Sequence, residues 1–171
     1  DLTLSLRPSP ALRLSFGPAL TLNRTLSQYV TAVPDPVAAA TFGTRYVFAT
    51  LDQREISMIT RMDWTFTPRL SLQLFLQPLV SAGDYTDFKE FARPRTYDFA
   101  VYGRDKGTVS TTGSGSEIDP GDGGAEFTIS PQNFTIRSLR ANAVLRWEWR
   151  PGSTLFLVWQ GVPQNLNEYT A

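Results

Sequence analysis

Three acidic residues set among glycines are the most concentrated chemistry in the sequence. Glu117, Asp119 and Asp122, interleaved with Gly115, Gly121, Gly123 and Gly124, supply carboxylate oxygens and a supple backbone of the kind that wraps a calcium ion. Their spacing lacks the regular pattern of an EF-hand or a calcium-binding nonapeptide repeat. The expectation is therefore a solvated loop within the Gly-rich segment 103–124, with calcium as the sharper alternative. A second set of charges recurs two residues apart, Arg61 with Asp63 and Arg146 with Glu148. Side chains two apart on a strand share a face. Such pairs either line a channel that selects ions or small solutes, or form a ladder of cross-strand pairs that only satisfies charge. A third group, Asp84, Tyr85, Asp87, Phe88, Lys89 and Glu90 followed by Arg93-Pro94-Arg95-Thr96-Tyr97, mixes rings with charges. Its two readings are stacking on sugars and packing of an outer loop.

Composition removes most other chemistry. The 171 residues include no Cys and no His, so thiolate nucleophiles, disulfides, the usual zinc ligand sets and an imidazole base are all missing. No carboxylate pair sits in a recognisable cleft and no Gly-Lys-Ser/Thr phosphate loop follows a strand, so no enzyme activity, catalytic residue or cofactor is expected. Sixteen basic residues balance sixteen acidic ones, which gives no net field to draw the chain onto nucleic acid. No run reaches the roughly 18 to 20 apolar residues of a membrane-spanning helix; the strongest is Leu155 to Trp159. The start at Asp1, without Met or signal segment, and the polar end at Ala171 are expected to be the bounds of a mature product or internal piece.

The elements that must position these side chains show a period of two rather than 3.6. From Leu12, one face reads Leu12, Leu14, Phe16, Pro18, Leu20, Leu22 and the other Arg13, Ser15, Gly17, Ala19, Thr21, Asn23. From Ile56, the split is Ile56, Met58, Thr60, Met62, Trp64, Phe66 against Ser57, Ile59, Arg61, Asp63, Thr65. Leu70, Leu72, Leu74 and Leu76 alternate with Ser71, Gln73, Phe75 and Gln77. Leu139, Ala141, Ala143, Leu145, Trp147 and Trp149 then face away from Arg140, Asn142, Val144, Arg146 and Glu148. Leu155, Leu157 and Trp159 form one face of a return strand, and Leu2, Leu4 and Leu6 the tail of another. These runs match the roughly 9 to 11 residues of a tilted strand crossing a bilayer.

Connections follow the same logic. Tight turns at Pro8-Ser9-Pro10, Thr67-Pro68-Arg69 and Arg150-Pro151-Gly152 alternate with long polar stretches at 27–43 and 81–133, the short-side, long-side asymmetry of membrane barrels. Reading Thr44 to Phe66 as one strand, rather than a hairpin turning at Asp52-Gln53, puts all three short turns on the periplasmic side. Trp64 and Phe66, and Trp147 and Trp149, then fall where an interface belt belongs. Six convincing crossings fall short of the roughly 8 strands of the smallest single-chain barrels, so the chain alone is not expected to close; 97–103 and 126–130 offer two more, but the Gly-rich connection between them fits an outer loop better.

The segments 60–74, 92–99 and 137–159, among them Thr60-Arg61-Met62-Asp63-Trp64-Thr65-Phe66-Thr67-Pro68-Arg69 and Leu145-Arg146-Trp147-Glu148-Trp149-Arg150-Pro151-Gly152, carry a family likeness. There the chain resembles the C-terminal barrel of large bacterial envelope proteins whose N-terminal domain is like a carbohydrate-binding module of the family nine type. The resemblance implies a location more than an activity, and a longer parent chain that supplies that module and further strands after Trp159. It implies no catalytic residues.

The resulting expectation is an all-β chain: an antiparallel transmembrane β-barrel or part of one, single over residues 1–171, with six to eight strands, short periplasmic turns and long outer loops. It is placed in the bacterial outer membrane, with the lipid bilayer and the remaining strands of the parent, or other copies, as partners. Arg13, Arg61, Asp63, Gln73, Gln77, Arg140, Asn142, Arg146 and Glu148 are read as facing a polar lumen. Phe16, Trp64, Phe66, Trp147, Trp149 and Trp159 are read as facing lipid or its interface. The alternative is a surface-exposed β-rich binding module, or a structural protein that self-assembles into fibres or tubes.

Overall fold

The computed structural model describes residues 2–161 and 166–168. Eleven strands are found there: β1 (Leu4–Ser9), β2 (Leu12–Pro34), β3 (Thr44–Thr67), β4 (Leu70–Phe91), β5 (Phe99–Val101), β6 (Thr108–Thr112), β7 (Gly115–Asp119), β8 (Phe127–Ile129), β9 (Phe134–Arg150), β10 (Ser153–Gly161) and β11 (Leu166–Glu168). A single 3-10 turn at Ala39–Thr41 is the only helical element among the described residues. The main sheet is antiparallel and has the order β1-β2-β3-β4-β9-β10, with β5 paired to β4 and β11 to β9; β6, β7 and β8 form a second, three-stranded sheet. The path is open, ending at β1 and β10.

Period two sets the long strands, and proline opens the three tight turns between them. Three hairpins close over two residues each, Pro10-Ala11, Pro68-Arg69 and Pro151-Gly152, at or within two residues of the expected turns. Proline fixes φ and donates no backbone hydrogen bond, so it halts a ladder where a turn is wanted. β3 runs through Asp52 and Gln53 without turning, as the single-strand reading requires.

The two long stretches are corrected by the structure. Segment 27–43, expected as a loop, stays in β2 to Pro34, because Tyr29, Val30, Thr31 and Val33 favour the pleated backbone; only Asp35 to Gly43 leaves the sheet. Segment 81–133 begins as strand: β4 continues to Phe91, β5 follows, and the Gly-rich part folds into β6 and β7. The two segments offered as extra strands, 97–103 and 126–130, contain β5 and β8.

The chain divides into two compact units. The first comprises Asp1–Thr21, Arg54–Ser81 and Thr135–Asn167; the second comprises Leu22–Gln53, Ala82–Phe134 and Glu168–Ala171. All three short turns belong to the first. Their neighbouring hydrogen bonds, Thr65 N–H to the Ala11 carbonyl at 2.8 Å and Glu148 N–H to the Arg69 carbonyl at 2.8 Å, gather the turns at one end of its strands. Among the described residues of this unit only Ser81 and Ala141 are buried, so it has no packed core of its own.

The second unit has one. Val47, Tyr102, Ile118 and Ile129 are fully buried, with Val30, Phe88 and Phe127 packed against them. Gly83 marks a close approach in this unit: a Cβ there would meet the Phe134 ring, 2.6 Å from Cζ, and would lie 3.1 Å from Leu51 Cδ1. Gly83→Ala is expected to destabilise the unit by about 1–3 kcal/mol through overpacking, read as a lower urea midpoint in a chain of unchanged β content. An unchanged midpoint would show that the Phe134 ring has room to move.

Candidate functional site

The densest polar constellation lies in the second unit and is built around a buried arginine. Arg45, at the start of β3, precedes the alternating buried residues Val47, Ala49 and Leu51, and its side chain is 1% exposed. Its Nε donates to Asp35 Oδ2 at 2.7 Å, Nη1 to Glu90 Oε1 and Oε2 at 2.9 and 3.0 Å, and Nη2 to Asp122 Oδ1 at 2.7 Å. Lys106 adds a second cation, bonded to Glu90 and, at 2.9 Å, to Asp122; the Tyr102 hydroxyl donates to Glu90 Oε2 at 2.8 Å. Two cations thus face three carboxylates. Gly124 makes the closure possible, since a Cβ there would collide with Asp35 Oδ2 and come within 2.6 Å of Arg45 Nη2.

The electrostatics follow from this geometry. The hydrogen bond from Arg45, helped by the Val37 N–H at 2.9 Å, holds the Asp35 carboxyl below its ordinary range. Burial works against the charged Asp122, but hydrogen bonds from Lys106, Arg45 and the Gly124 N–H outweigh it and lower its pKa to about 2. Burial also opposes the Arg45 charge, yet its three carboxylate partners raise its pKa further. Tyr102 is pushed up, first by burial and then by the Glu90 charge. Every carboxylate is committed to a cation, so the cluster offers no free base or nucleophile. It fastens segment 35–43 and the loop at Asp122 to β3 and β4.

The calcium candidates are dispersed by the same arrangement. Asp122 is consumed by Arg45 and Lys106, Asp119 Oδ1 accepts the Gly121 N–H at 2.8 Å, and Glu117 is exposed in β7 opposite Ser110 and Thr128. Among the described residues no three His, Cys, Asp or Glu side chains converge to hold a metal ion.

In the first unit the alternating charges do share space. Arg61, Asp63, Gln73, Phe75, Asn142 and Val144, with Leu74 of the other strand face, line a cavity of about 300 Å³, with the Arg61 guanidinium 5.7 Å from the Phe75 ring centre. Asn142 Oδ1 is buried there without a hydrogen-bond partner among the described residues. Arg146 and Glu148 lie 3.8 Å apart along β9, an in-strand pair rather than a cross-strand ladder, and Glu148 Oε1 also accepts the Gly152 N–H of the adjacent turn at 3.2 Å. Arg13 and Arg140 are exposed and Gln77 is half-buried, all outside this cavity.

The expected lipid-facing rings are placed as follows. Phe16 pairs with Leu4, Trp147 with Leu155, and Trp159 with Ala143. Trp64 and Phe66 touch, centres 4.3 Å apart, and Arg150 lies 4.5 Å from the Trp149 ring centre. Sequence reasoning missed the Arg45 cluster, whose members stand 10, 45 and 77 residues from Arg45. The available signal was an arginine opening an otherwise small and apolar strand face. Comparison with protein-family models, with curated proteins and with solved structures returned no match.

Proposed function

We propose that the chain is part of an outer-membrane β-barrel, a scaffold or pore that acts by position rather than catalysis. The observation that carries this reading is the first unit's apolar face. Leu155, Leu157, Trp159, Trp147 and Trp149 stand together on β9 and β10, and Leu4 and Leu6 on β1, all exposed in a unit with almost nothing buried. A soluble sheet hides such a face against a second layer, whereas a bilayer covers it from outside. The aromatic residues near the gathered turns fit an interface girdle, and Arg61, Asp63, Gln73 and Asn142 suit a hydrated or plugged interior. On this reading the second unit lies outside the bilayer and short turns face the periplasm. The resemblance of 60–74, 92–99 and 137–159 to an envelope-protein barrel points the same way.

The open path from β1 to β10 favours a second element of the proposal: the sheet is completed by strands of a longer parent or by further copies. Folding the chain into detergent micelles tests both. The expected result is a β-rich species with heat-modifiable gel migration, and light scattering then separates a single copy from a ring. A monodisperse, detergent-free soluble protein would overturn the membrane reading, and concentration-dependent fibres in buffer would replace it with self-assembly.

A further inference from the structure

We propose that the second unit binds a ring-shaped organic anion, a ligand with one flat apolar face and a carboxylate, in the cavity between Phe42, Tyr46, Phe91, Pro94 and Arg95. The cavity measures about 570 Å³, within the roughly 300–1,000 Å³ of small-molecule sites. Two of its wall residues, Phe42 at φ 57° and Arg95 at φ 58°, are held in the left-handed region. For bulky side chains that conformation is costly, persists only where the surroundings enforce it, and gathers at binding sites.

Both loops supply the enforcement. On one side, Gly43 N–H donates to the Ala38 carbonyl at 3.0 Å and Asp35 N–H to the Gly43 carbonyl at 2.9 Å, while the Asp35 carboxylate is held by Arg45. On the other, Ala92 N–H donates to the Asp98 carbonyl at 2.8 Å and Arg93 pairs with Asp98. The result is a Phe42 ring that is 95% exposed, facing no core, opposite a Phe91 ring fixed by Phe48 and Phe99 at 5.0 and 5.1 Å between centres.

Charge selects the ligand. Arg93 is neutralised by Asp98, whereas Arg95 has no carboxylate partner among the described residues, so the cavity presents aromatic faces beside a free guanidinium. Rings accept a flat apolar face, and the guanidinium forks a carboxylate. A sugar acid and an aromatic acid share this chemistry.

The test titrates the folded full chain, in micelles or in buffer as its solubility dictates, with sodium glucuronate, sodium benzoate and glucose. At least one acid is expected to bind saturably and glucose at least about tenfold more weakly, since it lacks the carboxylate; the preferred acid identifies the source. Phe42→Gly and Arg95→Gly are each expected to weaken binding by about tenfold or more, with unchanged or raised Tm because glycine accepts positive φ. Tyr97→Ala, outside the cavity, keeps full affinity. Absence of saturable binding by both acids, equal binding of glucose, or full affinity in either glycine variant would overturn the site.

Discussion

Arg45→Met is expected to cost the second unit about 3–5 kcal/mol, the penalty of leaving buried carboxylates without their cation. The substitution keeps the aliphatic stem and removes the donors that hold Asp35, Glu90 and Asp122. Lys106 still reaches Glu90 and Asp122, but Asp35 retains only the Val37 N–H. The cluster's balance falls from two cations against three carboxylates to one against three. A pH series makes the attribution specific. Asp35 and Asp122 have folded pKa values below the ordinary aspartate value of 3.8, Asp122 at about 2, so their stabilisation is present above pH 3.8 and is lost as pH falls toward 2. The wild-type urea midpoint should therefore drop across that window, and in Arg45→Met the drop should be smaller, because Asp35 loses its cation and Asp122 keeps only Lys106 and the Gly124 N–H. A variant as stable as the wild type, with the same acid limb, would show that the carboxylates find other partners.

What the sequence made legible, and what it hid, divides along the range of the forces involved. The hairpins at Pro68-Arg69 and Pro151-Gly152, the unbroken β3 and the face pairing of Leu155 with Trp147 all follow from neighbours a few residues apart, where alternation and proline act directly. The ends of β2 and β4 are hidden in the sequence: 29–33 and 89–91 fall within long polar stretches that suggest connections, yet they continue these strands as part of a cored unit. Lys89 and Glu90, adjacent charges with the polar look of a loop, are both buried in β4: Lys89 donates to Thr50 Oγ1 at 3.1 Å, and Glu90 meets Arg45. Partners 39 and 45 residues away leave no periodic trace. Arg61, Asp63, Gln73 and Asn142 line one cavity together with Leu74, and bringing the four polar residues together needs only neighbouring strands in register.

Leu157→Arg is expected to cost about 2–4 kcal/mol in lipid vesicles, while Phe156→Arg beside it costs less than about 1 kcal/mol. Leu157 pairs with Leu145 on the apolar face of β10, whereas Phe156 pairs with Arg146 on the charged one, and the two are 57% and 58% exposed. Exposure alone therefore predicts equal effects, and in water both substitutions should fall within about 0.5 kcal/mol of neutral. If the proposed bilayer surrounds this strand, depth adds the asymmetry. Counting from the turn at Gly152, Leu157 is about five residues along the strand, roughly 16 Å at 3.3 Å per residue and about 12 Å along the normal at a 45° tilt, near the middle of an apolar band about 25 Å tall. On the proposed barrel reading, an arginine there loses its hydration with no polar partner on that face, while one at position 156 would stand in a hydrated interior against like-charged Arg146, a repulsion that water screens. Urea unfolding in vesicles, followed by tryptophan fluorescence, reads both costs. A large penalty at 157 with a small one at 156 fixes which face meets lipid. Two small penalties would remove the bilayer from this strand, and a larger penalty at 156 would turn the sheet inside out.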